Sequence, residues 1–138
     1  MMKTNNSALT QVQKSRRFPL INLSFEATIR LADKEIELKG KQISNHELRL
    51  EANPTQVLQL VPRHALHRPD ISVTYPSVIK VANQTLNPEI QVVRCRRASQ
   101  TKFEVTLKLL SLTDAENLSL EELLKENLAT AEVANPFS

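Results

Sequence analysis

Residues 21–31 read INLSFEATIRL, and in this run Ile21, Leu23, Phe25, Ala27, Ile29 and Leu31 alternate strictly with Asn22, Ser24, Glu26, Thr28 and Arg30. A period of two sends successive side chains to opposite faces of an extended chain, so the run predicts a strand with one dry and one wet face. The same period returns along the chain. Asp33-Lys34 supplies a polar turn, and Ile36 and Leu38 continue the alternation up to Gly40, which predicts an antiparallel hairpin. Ser44 to Glu47 breaks the pattern before Leu48, Leu50 and Ala52 resume it. Ile71, Val73 and Tyr75 alternate and stop at Pro76, while the β-branched run Ile90 to Arg97 follows the turn-like Asn87-Pro88. After the polar turn Ala98 to Thr101, Phe103, Val105, Leu107 and Leu109 alternate with Glu104, Thr106 and Lys108, completing the clearest hairpin of the sequence.

Helical spacing is rarer. Between Pro54 and Arg68, Val57, Leu58 and Val61 fit a short helix that Pro62 would end, or an irregular connection. Ser119-Leu120-Glu121-Glu122 has capping-box spacing, and Leu120, Leu123, Leu124 and Leu128 form a stripe of about 3.6 period, which predicts a terminal helix packed on the strands or on a partner. Many short strands and one late helix suggest an antiparallel barrel or sandwich, and a barrel also removes exposed strand edges. The expected organisation is one domain over residues 14–128, with mobile segments at 1–13 and 129–138.

Composition narrows the classes. With 138 residues, 41% hydrophobic and 24% charged, the chain is long enough to bury a core without staples, and with 4% aromatic residues and no Trp that core is built from Leu, Val and Ile. No apolar run approaches a membrane span of about 18 residues, residues 1–17 hold no signal-peptide core, and the lone Cys95 forms no internal disulfide, so a cytoplasmic location is expected. A net charge of +3 is milder than that of most nucleic-acid-binding domains.

The single glycine, Gly40, rules out a GxGxxG turn and a phosphate-cradling P-loop. His64, His67 and Cys95 lack CxxC or HExxH spacing, so exposed loop histidines are expected rather than a metal site, and with no GxSxG elbow no enzyme activity is expected. Basic residues cluster at Lys14, Arg16 and Arg17 and again at Arg94, Arg96 and Arg97. Guanidinium forks donate paired hydrogen bonds suited to phosphates and guanine edges, although a solvated basic face has the same composition.

Arg16-Arg17-Phe18-Pro19, Gln42-Ile43-Ser44, and Val92-Val93-Arg94-Cys95-Arg96-Arg97 followed by Phe103-Glu104-Val105 together resemble the PilZ domain family, over roughly Lys14 to Leu112. The resemblance implies a mainly β, antiparallel PilZ-like β-barrel with a C-terminal α-helix. It also implies a cyclic di-GMP site in which an RxxxR motif and a D/NxSxxG motif clamp the ligand. Here Arg16 matches the first arginine but Leu20 occupies the second place, and shifting the frame to Arg17 puts Ile21 there. Ser44 matches, whereas Gln42 replaces the Asp/Asn and Glu47 the glycine.

Losing a charge-assisted hydrogen bond costs about 1.5–3 kcal/mol, so these departures predict weak or no cyclic di-GMP binding. The resemblance then implies a signalling adaptor that contacts another protein in motility, pilus assembly, secretion or biofilm control, with no cofactor. The alternative is a true cyclic di-GMP receptor using Arg16, Arg17 and Ser44 with substitute contacts from Arg94 or Arg96. A third reading is a single-strand nucleic-acid barrel, for which one Tyr and four Phe offer few stacking platforms, so nucleic acid is not the expected partner.

Overall fold

The computed structural model describes residues 18–61 and 73–134, with side chains as far as Leu128. Strand β1 (Ile21–Arg30) pairs with β2 (Glu35–Ile43), and β2 with β3 (Glu47–Ala52), all antiparallel. A short helix α1 (Pro54–Leu60) follows, then β4 (Val73–Val81), β5 (Gln84–Leu86), β6 (Glu89–Arg97), β7 (Phe103–Ser111) and helix α2 (Asp114–Ala134). The order β1-β2-β3-β7-β6-β4 closes on itself through a β1–β4 pairing, and β5 adds to β4 outside the ring. The result is a closed six-stranded barrel with a C-terminal helix, as the alternating sequence predicts.

Alternation decides what lies inside. Ala27, Ile29, Ile43, Leu48, Leu50 and Val105 are among the fully buried residues, and each has at least one adjacent polar residue, such as Glu26, Arg30, Gln42, Arg49 or Glu104, on the outer wall. Register shifts bend the wall between Asn22 and Phe25 in β1, between Gly40 and Gln42 in β2, and between Glu89 and Ile90 and between Val92 and Arg94 in β6. Strand β2 therefore runs through Gly40 to Ile43 instead of ending at the glycine. The reason is steric: Gly40 faces inward opposite Phe25, and a Cβ there would lie 2.2 Å from the phenylalanine ring.

The expected strand end at Pro76 is corrected. Strand β4 continues to Val81, because Pro76 sits where the strand changes partners: Val73–Pro76 pairs with β6 and Ser77–Lys80 with β1. Ser77 donates its N–H to Pro88 O (3.1 Å), so the neighbouring position points its backbone nitrogen toward β1, where pairing has already ended at Ile29–Ser77. A missing N–H costs no ladder bond there. The continued strand leads into the hairpin Val81-Ala82-Asn83-Gln84, whose two-residue turn puts Ala82 at φ 53°.

Both helices are held by side-chain caps. In α1, Asn53 Oδ1 accepts from Gln56 N–H (2.8 Å) and Gln56 Oε1 from Asn53 N–H (2.9 Å), with Pro54 in the first turn, so the helical alternative for this segment is the correct one. Helix α2 begins five residues before the expected Ser119 cap. Thr113 and Glu116 form the box instead, with Glu116 N–H donating to Thr113 Oγ1 (3.1 Å) and Thr113 N–H to Glu116 Oε1 (3.0 Å). Ser119 lies inside the helix, its carbonyl accepting from Gln84 Nε2 (3.3 Å). Leu120, Leu123 and Leu124 are buried in the core, so the helix docks on its own barrel through the leucine stripe.

Candidate functional site

The β2–β3 turn is built by one side chain. Ser44 is fully buried, and its Oγ accepts from the N–H groups of Glu47 (3.0 Å) and His46 (3.3 Å) while its own N–H donates to Glu47 O (2.9 Å). A short hydroxyl that satisfies turn donors locally is what such a turn selects. With its oxygen engaged and covered, Ser44 shapes the turn.

Asn45, which carried no signal in the sequence, ties down the chain that enters the barrel. Its Oδ1 accepts the N–H of Phe18 (3.0 Å), and the Phe18 ring is buried in the core. The backbone immediately after Arg17 is thus held against the Ser44 turn. Arg16 and Arg17 themselves lie outside the described residues, as do His64 and His67. The described residues contain no group of three or more His, Cys, Asp or Glu placed to hold a metal ion.

The positions where the family motif departs are internally engaged. Gln42 Nε2 donates to Asn22 Oδ1 (2.9 Å), and the Glu47 carboxylate sits 3.5 Å from Arg49 Nε, both on the outer wall. Arg49 pairs across strands with Thr106, and Thr106 with Arg94, so Gln42, Arg49, Thr106 and Arg94 form one row across β2, β3, β7 and β6. At about 4.8 Å per strand, the backbones of Gln42 and Arg94 stand roughly 14 Å apart. Ser44 and the β6 arginines therefore share a wall without touching. Arg96 is spent on Glu104 (3.2 Å), whereas Arg94 makes no hydrogen bond or ion pair among the described residues. In the sequence Arg49 is an ordinary outward position between Leu48 and Leu50, with nothing to set it apart.

Beside this row a groove of about 990 Å³ runs over β1, β2 and β4, lined by Phe25, Lys39, Gly40, Lys41, Gln42 and Glu51 among others. Of its charged lining residues, Lys41 and Glu51 are paired, whereas no ion pair engages Glu26, Lys39 or Lys80 among the described residues. Lys41 (3.2 Å) and Lys102 (3.5 Å) both reach Glu51, and the hydrogen bond from Lys41 above all holds that carboxyl below its ordinary value against the opposing effect of burial. On β6, Cys95 is half-buried, and burial pushes its thiol up to about 11, so it stays protonated and unreactive at neutral pH.

No protein-family model matches the chain, and no curated protein matches it in sequence. Solved structures do match. The inhibitor of motility MotI/DgrA of Bacillus subtilis superposes with TM-score 0.65 at 12% identity, over 83% of this chain and 53% of that one. The PilZ domain of Escherichia coli YcgR with c-di-GMP gives TM-score 0.61 at 9% identity, over 90% and 99% respectively. Borreliella burgdorferi PlzA in complex with c-di-GMP gives 0.53 at 12%, over 92% and 57%. The chain thus spans about half the length of MotI/DgrA and PlzA and nearly all of the isolated YcgR domain. At such identities the likeness is one of fold, and the fold is PilZ-like.

Proposed function

We propose that the chain is a non-enzymatic signalling module of the cyclic di-GMP pathway type that works by contacting another protein, with weak or no cyclic di-GMP binding of its own. The observation that carries this reading is Glu47. Its side chain stands where the family motif has glycine, at the turn shaped by Ser44, and is held there by Arg49. A carboxylate at that place repels a phosphodiester, and Gln42 has one of its two amide N–H groups already tied to Asn22. Leu20 in the second arginine position withdraws a further charge-assisted contact. The fold likeness to a motility inhibitor agrees with a role in motility, pilus, secretion or biofilm control.

One feature favours the receptor reading. The Phe18–Asn45 bond holds the chain just after Arg17 at the turn, and Arg94 stays unengaged among the described residues on the same wall. Calorimetric titration with cyclic di-GMP at moderate salt separates the two. The adaptor reading predicts no tight binding; micromolar binding that disappears in the Arg16→Ala, Arg17→Ala double variant would establish a receptor instead.

A further inference from the structure

Strands β5 and β6 share one lane beside β4, broken at Asn87-Pro88. Ile79–Val81 pairs with β5, Val73–Pro76 pairs with β6, and between them Ser77 N–H donates to Pro88 O (3.1 Å). On the far side of that lane β7 covers β6 as far as Ser111, opposite Glu89, and there the chain turns away into α2. Every strand of the closed ring has two neighbours, so β5 is the one strand among those described that is paired on a single side.

The donors along this open side can be followed one by one. A two-residue turn makes Val81 and Gln84 a hydrogen-bonded pair, so in the next pair, Lys80 and Thr85, the N–H and C=O of each point away from the other strand. Outward N–H groups therefore recur at Thr85, Asn87 and Glu89. Glu89 N–H donates to Ser111 Oγ (3.2 Å) and Asn87 N–H to Glu116 Oε2 (2.9 Å). Thr85 is exposed, and its N–H and C=O meet no partner among the described residues. Next to it, Gln84 Nε2 donates to Ser119 O (3.3 Å), while Gln84 Oε1 is buried without a hydrogen bond. Both residues line a cleft of about 260 Å³ between β5 and the first turns of α2, with Leu86, Ala115, Glu116 and Ser119 as its other walls.

We propose that this cleft takes an extended segment of a partner protein as an added strand, lying on β5 in the lane that β7 leaves at Ser111. A carbonyl of the segment accepts the Thr85 N–H, one of its N–H groups donates to Thr85 O, and a further N–H meets Gln84 Oε1. Extended backbone is the chemistry that offers a donor and an acceptor on the same side of one residue, which is what Thr85 requires. On the opposite wall Ala115 and Ser119 are small, and Glu116 is already engaged by Asn87 and Thr113. One free residue of edge supplies few bonds, so an isolated strand binds weakly and the partner's remaining contacts supply the rest. The proposal rests on the adaptor reading and gives that contact a place, apart from the Ser44 turn.

The test titrates the blocked tetrapeptide acetyl-Thr-Val-Thr-Val-amide, whose β-branched residues favour extended chain, into the isotope-labelled full chain while amide NMR shifts are followed. The Thr85 and Gln84 amides should shift with a dissociation constant of roughly 1–10 mM. The same peptide N-methylated at alternate residues should bind about fivefold more weakly or worse, because main-chain bonds carry the contact. Thr85→Pro removes the outward N–H without breaking a bond to β4, so it should keep the parent's urea midpoint and lose the peptide-induced shift at Gln84. Should that variant fail to fold, the N-methyl comparison on the parent chain decides alone. No shift at Thr85 up to about 10 mM peptide, shifts centred outside the cleft, or equal binding by the N-methylated peptide would overturn the proposal. The adaptor reading is judged separately by the cyclic di-GMP titration, whose outcome leaves the peptide result unchanged.

Discussion

Gly40 is the only glycine of the chain, and its place is set by a neighbour rather than by its own torsion angles, since no glycine here has positive φ. The Phe25 ring fills the space where a side chain would begin. Gly40→Ala should therefore lower stability in urea unfolding by about 1–3 kcal/mol through overpacking, and Phe25→Leu should relieve part of that loss. Ala82 is the reverse case: a side chain occupies a left-handed position, at φ 53°, that glycine adopts freely. Ala82→Gly should raise stability by about 1 kcal/mol, seen as a higher unfolding midpoint with unchanged slope. Neither residue announced its role in the sequence, because both depend on what lies across a strand pair. Ser44 and Glu47 could be placed in advance only through the family resemblance, and the anchoring of Phe18 by Asn45 joins residues 27 positions apart.

Elements were legible wherever periodicity alone decides them. β1 is legible because one face meets the core and the other meets water, and β6 and β7 keep that period in sequence although Thr106 is buried between Val105 and Leu107. Termini were harder to read, because two Ser/Thr-x-x-Glu candidates precede the leucine stripe of α2 and sequence does not say which is paired. Thr113 prevails since its partner Glu116 also accepts the N–H of Asn87 (2.9 Å), tying the helix to the chain leaving β5. The backbone hydrogen bond from Thr113 leads in holding the Glu116 carboxyl below its ordinary 4.5, against the opposing effect of burial and with help from Asn87. A carboxyl whose folded value is depressed contributes stability above the unfolded value and loses it as pH falls through the folded one. Glu116→Gln should thus lower stability at pH 7 by about 1 kcal/mol, and the gap to the parent should narrow as pH falls below 4.5.

At the scale of the molecule, closure of the barrel turns on the continuation of β4 past Pro76, which pairs with β1 and completes the ring. Local reading of a proline argues for a strand end; only the exchange of partners at that residue, a property of the closed sheet, makes it harmless. The outer wall then carries Glu47 paired with Arg49, and Gln42 bonded to Asn22, at the positions where the chain departs from the motif of the family it resembles, and this is the centre of the functional account. The most direct test restores the motif. Heat of cyclic di-GMP binding would be measured for the parent chain and for a Leu20→Arg, Gln42→Asn, Glu47→Gly variant. The account predicts no detectable binding by the parent up to about millimolar ligand and affinity gained by the variant, since each restored charge-assisted contact is worth about 1.5–3 kcal/mol. Micromolar binding by the parent, left unimproved by restoring the motif, would contradict it.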